Sequence, residues 1–210
     1  NLGLAMFNSF RNAIVITVVT LLICSIAGYG FEIYHDKGKD ILMSILLLAM
    51  MLPFVAIMIP LFKMFTSWKL VNTWIALALP SISTPFMIML FRQAARSFPH
   101  DIIEAARLEG LSEIKIFFTM FIPVMKSTYG AAMTVTFMNA WNNYLWPLLV
   151  IRSADKYTLT IGLNTLINPY GDNYSLLVVG SVFSIIPIFI LFICFQKYFI
   201  EGMTAGAVKE

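Results

Sequence analysis

Apolar runs of about 20 residues alternate with short polar breaks along the chain, the length a helix needs to cross a bilayer core. The runs fall at about 12–31, 41–62, 74–92, 127–151 and 175–199. The breaks fall at 32–40, 63–73, 93–126, 152–174 and 200–210. This pattern predicts an all-α membrane protein with five transmembrane helices in one domain spanning residues 1–210. Prolines interrupt the second run at Pro53 and Pro60, the third at Pro80 and Pro85, and the fifth at Pro187. Proline removes a backbone hydrogen bond, which membrane helices tolerate where neighbours satisfy the freed carbonyl, so kinked spans are expected.

The break at 93–126 has structure of its own. Pro99 suits the first position of a helix, and Asp101 and Glu104 follow near the positive end of its dipole. Ile102, Ile103 and Ala106 recur at helical spacing until Gly110, which can end the helix in a left-handed cap. Ser112 can cap a second helix, in which Ile114, Phe117, Phe118 and Phe121 are expected to form one apolar stripe before Pro123. Such a stripe needs something to cover it, either a protein partner or the lipid headgroups.

The residues Glu104-Ala105-Ala106, Gly110 and Pro123 resemble, in register, a motif of the permease subunits of bacterial ATP-binding-cassette importers. That motif is Glu-Ala-Ala, three residues, Gly, nine residues and Ile-x-Leu-Pro; here Met120 and Ile122 replace its Ile and Leu. The resemblance implies a type I importer permease fold, with 93–126 as a cytoplasmic coupling loop that docks into a groove on an ATPase subunit. Glu104, Ala105, Ala106, Gly110 and Pro123 would then be the ATPase-coupling residues.

Composition narrows the alternatives. Hydrophobic residues make up 60% of the chain, charged residues 12%, and the mean hydropathy is +0.84, which excludes an ordinary soluble domain. A net charge of +3 with no basic cluster gives no reason to expect nucleic acid. Cys24 and Cys194 lie inside apolar runs and His35 and His100 are isolated, so neither a disulfide nor a metal site is expected. No signal-peptide pattern is present. Nine of the 14 Lys and Arg residues fall on the side holding 32–40, 93–126 and the tail, which predicts that this side is cytoplasmic.

In the fourth run, Asn139, Asn142 and Asn143 lie at i, i+3 and i+4 and are expected to share one helical face, extended by Thr136. Amides are costly against lipid, so that face should look into protein or water. Trp141, Tyr144 and Trp146 add aromatic surface beside it. Amide hydrogen bonds and stacked rings are how proteins hold sugars. Asn139, Trp141, Asn142, Asn143 and Tyr144 are therefore candidate translocation-path residues, against the reading that they bond neighbouring helices and form an interfacial belt. Ser81, Ser83 and Thr84 form a weaker polar patch.

Three stretches resemble the carbohydrate branch of the importer family, in particular the smaller permease of maltose-type systems: Trp141 to Leu148, Tyr157 to Leu163, and Gly202 to Lys209. Asn8-Ser9-Phe10 before a span also fits that subunit's second transmembrane helix. The resemblance covers essentially the whole chain and implies a sixth, N-terminal span ahead of Asn1. It implies that the turn-rich loop Asn168-Pro169-Tyr170-Gly171-Asp172-Asn173 meets an extracytoplasmic solute-binding protein, and that the tail approaches the ATPase dimer. The implied partners are a second permease, normally a different chain, two ATP-binding-cassette ATPase subunits and membrane lipid, in a bacterial cytoplasmic membrane. The chain lacks a Gly-Lys-Ser/Thr phosphate loop and any legible nucleophile–base pair, so no enzyme activity and no cofactor are expected in it; ATP and Mg would be bound by partner ATPases. The expected function is passage of a di- or oligosaccharide. The alternatives are a permease of the same superfamily for glycerol phosphate or an acidic oligosaccharide, and a channel or membrane scaffold independent of ATP.

Overall fold

A computed structural model describes residues 1–167 and 174–204. Among them there are helices and turns and no strand. Helix α1, Leu2–Ile33, begins ten residues before the first apolar run. Asp36 caps α2, Lys37–Ala49, by accepting the Lys39 amide at 3.0 Å. Then the chain breaks, and α3, Phe54–Ser67, starts after Pro53. The second run is thus two helices and not one kinked rod, because the residue before a proline avoids the helical region and Pro53 has no amide to offer. Pro60, by contrast, sits inside α3 without ending it.

Helix α4, Trp74–Ala78, passes through a 3₁₀ turn at Leu79–Ser81 into α5, Pro85–Arg96. Thr84 caps α5, and Pro85 takes its first position, where a missing amide costs nothing. Next come α6, His100–Leu108, and α7, Glu113–Ile116. A π-helical turn at Phe117–Phe121 then leads into α8, Ile122–Val124. The fourth run divides into α9, Lys126–Trp141, and α10, Leu145–Val150. Helix α11 is Leu159–Asn164, and α12, Tyr174–Thr204, carries Pro187 in its interior. Of these, α1 and the stretch Tyr174–Tyr198 of α12 are each long and apolar enough to cross a membrane, and α2 with α3 and α4 with α5 reach that standard as pairs.

The break between α9 and α10 corrects the expectation for the asparagines. Asn142 and Asn143 lie in the connection and not on the helical face of Asn139. Pro147 explains why: it cannot donate to the Asn143 carbonyl, and its ring would crowd that carbonyl in a continuous helix. The carbonyl takes the Thr160 hydroxyl instead, at 2.9 Å.

The chain forms two compact units. The first comprises Asn1–Val19, Leu52–Ile82 and the described residues of Thr134–Cys194. Its centre is Trp146, edge-on to Phe65 at 5.2 Å and donating its indole N–H to the Ala76 carbonyl at 2.7 Å. Asn8 donates to the Asp155 and Tyr157 carbonyls, and Ser9 accepts the Leu159 amide at 2.7 Å, so the polar start of α1 serves packing. The second comprises Thr20–Met51, Ser83–Met133 and the described residues from Phe195 on. Its core gathers Tyr29, Ala95, Phe98, Ile103, Ala106, Ile116, Phe117 and Phe121. The 93–126 break is therefore a packed part of the fold.

Candidate functional site: the elbow at residues 99–124

Helix α6 starts one residue later than the sequence suggests, with Pro99 at its cap, and carries Asp101 in its first turn and Arg107 in its last. Ile103 and Ala106 face the core, while Glu104, Ala105, Arg107 and Leu108 are exposed. Gly110 has φ +78°, the left-handed value expected of it. The Gly110 amide donates to the Arg107 carbonyl at 3.0 Å and the Leu111 amide to the Ala106 carbonyl at 3.0 Å, which completes a Schellman cap. Leu111 packs on the same core as Ala106, the apolar contact that accompanies this cap. Ser112 then accepts the Lys115 amide at 3.4 Å and starts α7. Two short helices are thus joined at a glycine, as the sequence predicts.

The apolar stripe is not single. Phe117 and Phe121 are buried, with Ile116, whereas Ile114 and Phe118 are exposed. The cause is the change of helical register: the Ile122 amide reaches back five residues to the Phe117 carbonyl, just before Pro123, which has no amide. The inner rings pack with Tyr29, whose centroid lies 5.4 Å from Phe117 and 5.0 Å from Phe121. Outside, Ile102, Leu108, Ile114 and Phe118 present exposed apolar surface, Leu108 at 91%. Interspersed with Glu104 and Glu109, this is the composition of a protein-docking surface with a charged rim.

Electrostatics brace the elbow. Arg107 Nε donates to Glu113 Oε1 at 2.6 Å, bridging the glycine turn, and its guanidinium lies 5.8 Å from the Tyr34 ring centroid. The Arg107 hydrogen bond, partly opposed by burial and helped by the Tyr34 hydroxyl, holds the Glu113 carboxyl below the usual glutamate range. Sequence reasoning missed this pair. It also missed the network in which Arg92 and Arg96 meet Glu32, for which the i, i+4 spacing of the two arginines was the available signal.

The candidate path residues do not form one patch. Asn139 and Asn142 are exposed, and Asn143 and Tyr144 are half-buried. Tyr144 lines an open cavity of about 300 Å³ with Thr160, Leu163, Asn164, Ile167 and Leu177. Trp141 is only 2% exposed. It stacks on Phe137 at 5.9 Å, and its indole N–H donates to the Ser184 carbonyl at 3.1 Å, so it is packing and not open ring surface. Trp146 likewise belongs to the core, and Thr84 to a helix cap. The loop Asn168 to Asn173 lies outside the described residues.

A family model described as "Binding-protein-dependent transport system inner membrane component" matches residues 20–205. The arabinooligosaccharides transport system permease protein AraQ of Bacillus subtilis (strain 168) is 44% identical over 203 residues, which are 97% of this chain and 72% of that protein. The lactose transport system permease protein LacG of Rhizobium radiobacter is 43% identical over 206 residues, 98% of this chain and 75% of that protein. Among solved structures, a bacterial ABC transporter involved in the import of the acidic polysaccharide alginate aligns with TM-score 0.83 at 23% identity, covering 93% of this chain and 74% of that one. This last similarity fixes the fold as that of an ABC importer permease.

Proposed function

Since the chain belongs to the family of binding-protein-dependent transport system inner membrane components, we propose that it is the permease subunit of an ATP-driven importer that passes a di- or oligosaccharide delivered by a solute-binding protein. The observation that carries the coupling half of this reading is the elbow: α6 and α7 joined at Gly110, with Glu104, Leu108 and Ile114 turned outward. The sugar half is supported by AraQ and LacG, each more than 40% identical to this chain and each a permease of a sugar system.

On this reading the chain binds no nucleotide and catalyses no reaction. Two ATPase subunits would close on binding ATP with Mg, and the elbow, seated in a groove of one of them, would move with it. Rigid-body movement of packed helices then exchanges inward- and outward-facing states. A second permease, a different chain in this branch, would complete the path. The elbow and the tail would face the cytoplasm, in keeping with the excess of Lys and Arg on that side. Asn139 and Asn142, exposed, and Asn143 and Tyr144, half-buried, are the candidates to meet sugar hydroxyls. Asn168 to Asn173 would meet the binding protein.

Purification of the tagged protein from its native membrane in mild detergent tests this. The expected result is recovery of an ATP-binding-cassette ATPase and a second, larger permease. Uptake of a labelled oligosaccharide by proteoliposomes of that complex should require ATP inside and the binding protein outside. Recovery of the chain alone, in stable form, would favour a channel or scaffold instead.

A further inference from the structure

The end of α1 holds the elbow on both of its flanks. On the entering flank, Arg92 Nε donates to Glu32 Oε2 at 3.0 Å, and Arg96 Nε to Glu32 Oε1 and Oε2 at 3.2 and 3.1 Å. The Arg92 side chain is 4% exposed and also donates, through Nη2, to Asp40 Oδ1 of α2 at 2.5 Å. One turn earlier, α1 and α5 approach so closely that a Cβ on Gly28 would lie 2.7 Å from the Arg92 backbone nitrogen. From Arg96 only Ser97, Phe98 and Pro99 separate α5 from α6. On the leaving flank, the Arg107–Glu113 pair lies against Tyr34, and the Tyr29 ring packs on Phe117 and Phe121.

An exposed ion pair adds little to stability, and a buried guanidinium shared by carboxylates of two helices is better at fixing geometry than at stabilising a fold. Together these contacts tie the elbow on both flanks to residues 29–34 and to the last turns of α5.

We propose that the end of α1 with the residue that follows it, Tyr29 to Tyr34, is the post to which the coupling elbow is fastened, and that Glu32 and Glu113 are positioning residues that transmit elbow movement to α1 and α5. This rests on the importer reading above.

The test is sugar transported per ATP hydrolysed, measured in proteoliposomes holding the whole importer. Arg96→Ala removes a half-exposed side chain and leaves the core intact; Glu113→Gln keeps shape and removes charge; Glu32→Gln is the more severe companion. Each variant should still recover the ATPase and hydrolyse ATP on addition of binding protein. Transport per ATP should fall about fivefold, within the range by which residues in a coupling network act. Arg96→Lys should restore most of it. An unchanged ratio in both Arg96→Ala and Glu113→Gln would overturn the proposal, and so would a parallel fall of hydrolysis and transport. A wild-type chain that recovers no ATPase would be the failure of the importer reading itself.

Discussion

The Leu111 amide donates to the Ala106 carbonyl at 3.0 Å across Gly110, whose φ is +78°. A Cβ built on Gly110 would meet no atom within 4 Å. The cost of substitution there is therefore backbone strain alone, about 1–2 kcal/mol for a residue with an ordinary side chain. Asparagine tolerates this region better and a β-branched residue worst. Coupled transport should decline in the order wild type, Gly110→Asn, Gly110→Ala, Gly110→Val, with membrane insertion unaffected. Equal activity of the asparagine and valine variants would refute the argument.

Glu104 is exposed on α6 and its replacement leaves the core untouched. A charge-assisted contact with the ATPase is worth about 1.5–3 kcal/mol. Glu104→Lys should weaken ATPase recovery by about tenfold or more, since 1.4 kcal/mol is a factor of ten. Circular dichroism and thermal midpoint should stay as in the wild type. Undiminished recovery and uptake would remove Glu104 from the docking surface.

Trp146 donates to Ala76 at 2.7 Å and is 1% exposed. Trp146→Ala should destabilise the fold by about 3–5 kcal/mol. Trp146→Phe keeps most of the packing and should lose about 1 kcal/mol, the ordinary worth of one hydrogen bond. Thermal unfolding in detergent reads both. A larger loss for phenylalanine than for alanine would contradict the assigned role.

Much of the elbow was legible because its signals are local. A glycine between helical runs, a serine at a cap and a proline after an aromatic run each act within a few residues. The Arg107–Glu113 pair and the Glu32–Arg92 network were not legible, because they depend on which helix ends the fold brings together. The fourth run misled for a more specific reason. Spacing put Asn139, Asn142 and Asn143 on one face only if the helix continued, and Pro147, four residues beyond Asn143, prevents that. Trp141 and Trp146 read as surface aromatics, yet each spends its indole N–H on a backbone carbonyl inside the first unit.

The Glu113 carboxyl is depressed from its ordinary value of 4.5, chiefly by the Arg107 hydrogen bond. A carboxylate with a lowered folded pKa contributes stability that is complete above its unfolded pKa and is lost as pH falls through the folded value. Amide protection in the elbow should thus be flat across neutral pH and fall only in acid, below the ordinary glutamate range. Glu113→Gln should abolish that acid step. A step near neutral pH in the wild type would contradict the assignment.

Placement separates Trp141 from its neighbours. Asn142→Ala with Tyr144→Ala should raise the KM for uptake with little change in thermal midpoint. Trp141→Phe should lower the midpoint and leave KM unchanged. The reverse split would make Trp141 the sugar contact and the other two structural.

The central claim is that the elbow seats in an ATPase. The most direct test places a single cysteine at the outermost apolar position of α6, by Leu108→Cys in a background with Cys24→Ala and Cys194→Ala. Leu108 is 91% exposed, so the change leaves packing intact. With a short cross-linker that is thiol-reactive at one end and photoactivated at the other, in native membranes, the account predicts a product joining this chain to an ATP-binding-cassette ATPase, and its reduction by Glu104→Lys in the same chain. No ATPase product, together with ready labelling of the L108C thiol by a membrane-confined reagent, would mean that the elbow lies on lipid and would contradict the account.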